Sequence, residues 1–143
     1  MRTLIVCLLV AAMKIAAFAG EPAKSPLEGS WELVSAKWPQ GNLPGEYSGG
    51  VLKIFSKGRF VFVGRTSDKS GAVQERYGGG TYTFRGEDYS ETITYHVVQR
   101  LVGQTVRFHV VIEGDTMTLS GPVVGKGEKA PGFTLVEVYK RKD

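Results

Sequence analysis

The chain predicts an all-β protein, an eight-stranded antiparallel up-and-down barrel. Three observations carry this. Short stretches alternate apolar and polar residues at period two, as strands with one enclosed face do. The connections alternate in length. Ala36–Gly50, Gly64–Gly79, Val98–Thr105 and Gly121–Gly132 are long, while Ser56–Gly58, Arg85–Asp88 and Gly114–Asp115 are short. Consecutive tight hairpins favour a meander, whereas a sandwich, the competing all-β arrangement, usually needs connections that cross between sheets. In a closed meander alternate connections lie at opposite ends, which gives a cup with a tight base and a loopy mouth.

The first residues read as an export signal. Arg2 is a basic start, Leu4–Met13 an apolar run, and Ala17-Phe18-Ala19 a small-x-small cleavage pattern before Gly20. The run is shorter than the roughly 20 apolar residues of a bilayer span. Lys14 inside the signal segment is atypical, and a retained anchor is the alternative. Residues 1–19 are therefore expected to be a signal peptide, 20–26 a short linker, and 27–143 one domain, secreted or periplasmic. Cys7 is the only cysteine and lies within the signal, so the domain is expected to fold without disulfides. Loss of Arg2 and Lys14 lowers the formal charge from +4 to +2. That is too mild a charge to argue for nucleic acid.

Gly29–Ala36 opens the barrel with Trp31 and Leu33. The segment to Gly50 is broken by Pro39, Pro44 and four glycines, which resist a helix. Val51–Phe55 and Arg59–Gly64 form a hairpin, with Gly58 placed for the left-handed residue of a three-residue turn. Gly80–Phe84 and Tyr89–Val97 follow, with Phe84 opposite Tyr89 and Tyr82 opposite Glu91. Val97 is expected to return to Val106–Ile112 with Tyr95 opposite Val110 and Val97 opposite Phe108. Gly114-Asp115 sets Ile112 against Met117 and Val110 against Leu119. Phe133–Arg141 is the last strand. In each of these three hairpins the apolar rows share a face, an agreement that a one-residue slip would break.

Two stretches resemble the calycin group of lipocalins, fatty-acid-binding proteins and bacterial lipocalin-like domains. Gly29-Ser30-Trp31 resembles the Gly-x-Trp that opens the first strand in that group, where the Trp plugs the barrel base. Gly80–His96 is similar to the central hairpin of small bacterial lipocalin-like proteins. No counterpart of the lipocalin helix or the fatty-acid-binding helical lid is evident. Glu137-Val138-Tyr139 stands where fatty-acid-binding proteins often carry Arg-x-Tyr, and a Glu would repel a fatty-acid carboxylate. The resemblance therefore implies a barrel and a small ligand, not a fatty acid.

Alternation places Phe60, Phe62, Tyr82, Phe84, Tyr89, Glu91, Ile93, Tyr95, Val97 and Phe108 inward, with Leu135, Glu137 and Tyr139 on the last strand. Val136 and Val138 compete for that inward row. Gly78 and Gly80 remove bulk from the inward row, which favours a cavity over a packed core. An aromatic lining with a few polar groups suits a small-molecule pocket. Ligand-binding candidates are Trp38, Phe62, Tyr82, Glu91, Tyr95, Phe108, Glu137 and Tyr139. Glu91 is expected in a network near the base, accepting from Tyr82, the Trp31 indole or an Arg, and Glu137 is the better ligand anchor. His96 and His109 fall opposite each other on the outer row without a third ligand, so no metal and no cofactor are expected. No Ser/His/Asp or Cys/His nucleophilic set appears. The mouth loops are modestly basic, which allows attraction to anionic amphiphiles or a membrane surface. The expectation is a non-enzymatic binding protein for a small, mainly apolar ligand with a polar group. The alternatives are an interaction module with a filled barrel and, with less support, an isomerase or hydrolase using Glu137 and a Tyr as acid–base pair.

Overall fold

Glycine-bearing turns set the strand pairing at one end of the molecule. The computed structural model describes residues 24–37, 46–48, 50–67, 70–122 and 134–143, with the backbone alone for 46–48. Among these residues there are nine strands: β1 (Gly29–Lys37), β2 (Glu46–Ser48), β3 (Val51–Ser56), β4 (Arg59–Ser67), β5 (Val73–Arg85), β6 (Asp88–His96), β7 (Thr105–Glu113), β8 (Thr116–Gly121) and β9 (Leu135–Arg141). From β3 to β9 each strand pairs antiparallel with the next, and β1 closes the cylinder by pairing with both β3 and β9. The short β2 pairs with β1 and with Ser67 of β4, so it extends the line of β3 toward the mouth. The barrel therefore has eight strands, the second of them made of β2 and β3.

The base turns are tighter than expected. Ser56 pairs with Arg59, which leaves a two-residue turn of Lys57 (φ 47°) and Gly58 (φ 75°). Two left-handed residues match the right-handed twist of a hairpin. Arg85 likewise pairs with Asp88, and the expected contacts of Phe84 with Tyr89 and Tyr82 with Glu91 are present. The expected β7–β8 register is present too, with Ile112 on Met117 and Val110 on Leu119. Trp31 is fully buried in the base. Its Nε1 donates to the Leu27 carbonyl at 2.8 Å. The Arg141 guanidinium lies 4.1 Å from the indole ring, and its two terminal nitrogens donate to the carbonyls of Glu28 and Pro26.

The mouth differs from the sequence expectation in three ways. First, Gly64–Gly79 is mostly strand, because β4 runs to Ser67 and β5 starts at Val73. Second, the β6–β7 register is offset. His109 faces Asp88, and Thr92 faces Thr105. Beyond Thr92, β6 continues against β5 alone, while a 3-10 turn at Gln99–Leu101 folds back and buries Leu101. Ile93 and Gly103 clamp that turn by backbone bonds, Ile93 N–H to Gln104 O and Gly103 N–H to Ile93 O. The offset is even, so the apolar rows still share a face, but the expected opposition of His96 and His109 is lost. Third, a bulge lies in β6: Gly79 pairs with Tyr95 and Gly80 with Ile93, which leaves Thr94 unopposed. One extra residue inverts the alternation beyond it. Tyr95, expected inward, is 48% exposed on the outer surface, and His96 turns in. Most of Ala36–Gly50 and Gly121–Gly132, with Phe133, lies outside the described residues.

Candidate ligand-binding site

The barrel interior is not filled. A cavity of about 420 Å³ lies inside it, within the range of roughly 300–1,000 Å³ usual for small-ligand sites. Leu33, Phe62, Ile93, Leu101, Val106 and Phe108 supply much of its apolar wall. Strand alternation puts all of them there except Leu101, which the 3-10 turn folds in, together with several polar groups.

A deeply buried charged group is one that the candidate residues omitted. Lys53 of β3 is only 3% exposed and Glu91 of β6 only 6%. The Lys53 ammonium is bonded to Glu91 Oε1, and Tyr89 Oη donates to the same oxygen at 2.6 Å. The ammonium also lies 5.1–5.9 Å from the ring centroids of Phe55, Phe60, Phe62 and Tyr89. This arrangement satisfies the rule that a buried charge must be paired and hydrogen-bonded. It also corrects the expected partners of Glu91, because the Trp31 indole is bonded to Leu27 instead. The signal for Lys53 was in the sequence: it sits between Val51 and Phe55 at period two, on the inward row.

Glu137 of β9 lines the cavity, and Tyr139 Oη donates to its Oε2 at 2.7 Å. Burial pushes the Glu137 carboxyl above the usual range, against the pull of Lys53 and the Tyr139 bond. Burial, with Glu137 beside it, holds the Tyr139 hydroxyl well above its ordinary value, and burial with Glu91 does the same for Tyr89. Toward the mouth, Arg76 Nε donates to Thr66 Oγ1 at 3.1 Å, and Arg100 and Gln74 also line the space. His96 Nδ1 accepts from the Val98 N–H at 2.9 Å, and burial lowers its basicity.

Of the candidate residues, Phe62, Glu91, Phe108, Glu137 and Tyr139 line the cavity. Tyr82 is buried but packs edge-on against Phe55, 5.1 Å away, outside the cavity wall. Tyr95 faces outward because of the bulge, and Trp38 lies outside the described residues. The space expected above Gly78 is occupied, since a Cβ there would stand 2.6 Å from the Phe62 ring and 2.8 Å from His96. Arg76 and His96 were not among the candidates. Arg76 becomes visible only once β5 is extended past Gly78, and His96 only with the bulge.

A closed eight-stranded antiparallel meander around a lined interior is the architecture of a lipocalin-like barrel. The chain matches no protein-family profile and no curated protein sequence. Similar solved structures include a lipocalin-like protein from Bacteroides uniformis, with 16% identity and a TM-score of 0.47, covering 81% of this chain and 98% of that one. An uncharacterized protein from Bacteroides eggerthii shows 17% identity and a TM-score of 0.47, covering 81% and 99%. A crustacyanin from the lobster Homarus americanus shows 15% identity and a TM-score of 0.45, covering 85% of this chain and 64% of that one.

Proposed function

We propose that this chain is an exported, non-enzymatic binding protein for a small, mainly apolar molecule with a polar head group. The observation that carries the reading is the cavity of about 420 Å³, with an apolar wall and a few polar groups converging on it. A filled barrel, the interaction-module alternative, would leave no such space. Burial of ligand surface against the wall supplies affinity at about 25 cal/mol per Å² of apolar area. The polar side chains set orientation. Export rests on Arg2, the Leu4–Met13 run and Ala17-Phe18-Ala19.

Native mass spectrometry of gently purified protein tests the binding. The expected spectrum shows a retained small molecule, which is reduced or lost in Val106→Trp, a substitution that projects an indole into the cavity. A wild-type spectrum of bare protein, together with no calorimetric uptake of any short-chain amphiphile, would refute the reading. Recovery of the full-length chain in the cytoplasm of a bacterial host, with no form beginning at Gly20, would refute export.

A further inference from the structure

We infer that the head group recognised in this cavity is an amine, held as an ammonium ion by Glu137. The inference rests on the binding reading above and deepens it. The Glu137 carboxyl receives one hydrogen bond among the described residues, from Tyr139 Oη to Oε2. Its other oxygen has no hydrogen-bond donor among them, although the side chain lines the cavity. The nearby cations donate to other groups and reach Glu137 only through space. The Lys53 ammonium is bonded to Glu91, whose oxygen Tyr89 also serves. Arg76, nearer the mouth, donates to Thr66.

The three common head groups differ in what they offer this carboxyl. A carboxylate brings two more acceptors and a like charge, leaving the open oxygen unserved. An alcohol brings one neutral donor. An ammonium brings three donors and the opposite charge, and charge-assisted bonds are roughly twice as strong as neutral ones. The apolar wall, with the Phe62 and Phe108 rings in it, accommodates the hydrocarbon body. A short alkyl or arylalkyl amine fits both halves of the site.

Calorimetric titration of the full protein at pH 7 with octylamine, 1-octanol and octanoate tests this with one chain length and three heads. Octylamine should bind at least about tenfold more tightly than either other probe, the effect of one added charge-assisted bond. Glu137→Gln should abolish the roughly tenfold preference for octylamine over octanol. In wild-type protein, the Glu137 carboxyl ¹³C resonance should shift further on saturation with octylamine than with octanol, a readout that needs no variant to fold. Equal or tighter binding of octanol would overturn the amine assignment while the binding reading stands. Preferred binding of octanoate would do the same and transfer the head group to the Arg76 and Arg100 side of the cavity. A carboxyl resonance unmoved at octylamine saturation would also overturn it. Uptake of none of the three would remove the amine assignment, and bare protein in the native spectrum would then remove the binding reading with it.

Discussion

Two acids in one cavity differ because the Lys53 ammonium is bonded to Glu91 and acts on Glu137 only through space. Glu91 is bonded to Lys53 and Tyr89, while among the described residues Glu137 receives a hydrogen bond from Tyr139 alone. Removing one member of a buried ion pair leaves the other uncompensated, at a cost of about 3–5 kcal/mol. Lys53→Met should lose that much in urea denaturation, and Lys53→Met/Glu91→Gln should regain most of it. Equal losses in the single and double variants would show that the pair is not coupled. For Glu137 the linkage runs the other way from a salt-bridged acid. Its folded carboxyl titrates above the ordinary 4.5, so the folded chain binds more protons in between. Stability from this group is fully present below the unfolded value and is lost as pH rises through the raised one. Glu137→Gln should therefore be more stable than wild type at pH 8, by an amount that shrinks as pH falls toward 4.5. His96 opposes this. Its folded value lies below 6.5, so the stability it contributes is present above 6.5 and is lost as pH falls through the lowered value. Protonation at Nδ1 also breaks the bond that it accepts from Val98. A variant-minus-wild-type difference constant with pH would contradict the assignment to Glu137.

At the scale of the element, one residue of β6 decides which side chains reach the cavity. Thr94 is the extra residue of a bulge, and it exchanges the faces of Tyr95 and His96. The bulge sits against Gly80, where a Cβ would stand 2.0 Å from the Thr92 carbonyl oxygen. Only a glycine admits that approach. Gly80→Ala should therefore cost at least about 1–3 kcal/mol, the usual range for overpacking, and should perturb His96 resonances several strands' width from the base. Gly86→Ala makes a useful comparison, since it is strained by φ +63° but meets nothing within 4 Å. If the Gly80 variant melted with wild type, the bulge would not depend on this contact. Strand parity was legible wherever a tight turn pinned it, as at Gly114-Asp115. It failed at the bulge, because a period-two pattern carries no mark of an inserted residue when both Tyr95 and His96 tolerate either face.

Over the whole molecule, closure joins the two ends of the chain. β1 pairs with β9, and the base is sealed by Trp31 between Leu27 and Arg141. These are contacts between residues about a hundred or more positions apart, except for the local Leu27 bond. Trp31→Ala should cost about 3–5 kcal/mol, measured by chemical denaturation, because a fully buried indole leaves a hole in the base and the Arg141 guanidinium loses its ring. A loss under 1 kcal/mol would show that the base is held by the strand ladder alone.

The sequence by itself determined the fold class, the places of the base turns though not their length, and the inward rows of β4, β5 and β7–β9. Each of these follows from local alternation and from turns whose geometry needs only a few neighbouring residues. It also carried Glu137 and Tyr139 to the cavity wall, since they share parity with Leu135. Tertiary structure alone decided which charge met which. Lys53 and Glu91 lie 38 positions apart, and no local pattern reports a contact made by two strands brought together around a cylinder. The offset of β6 on β7 was decided the same way, by Leu101 folding under the mouth to bury its side chain.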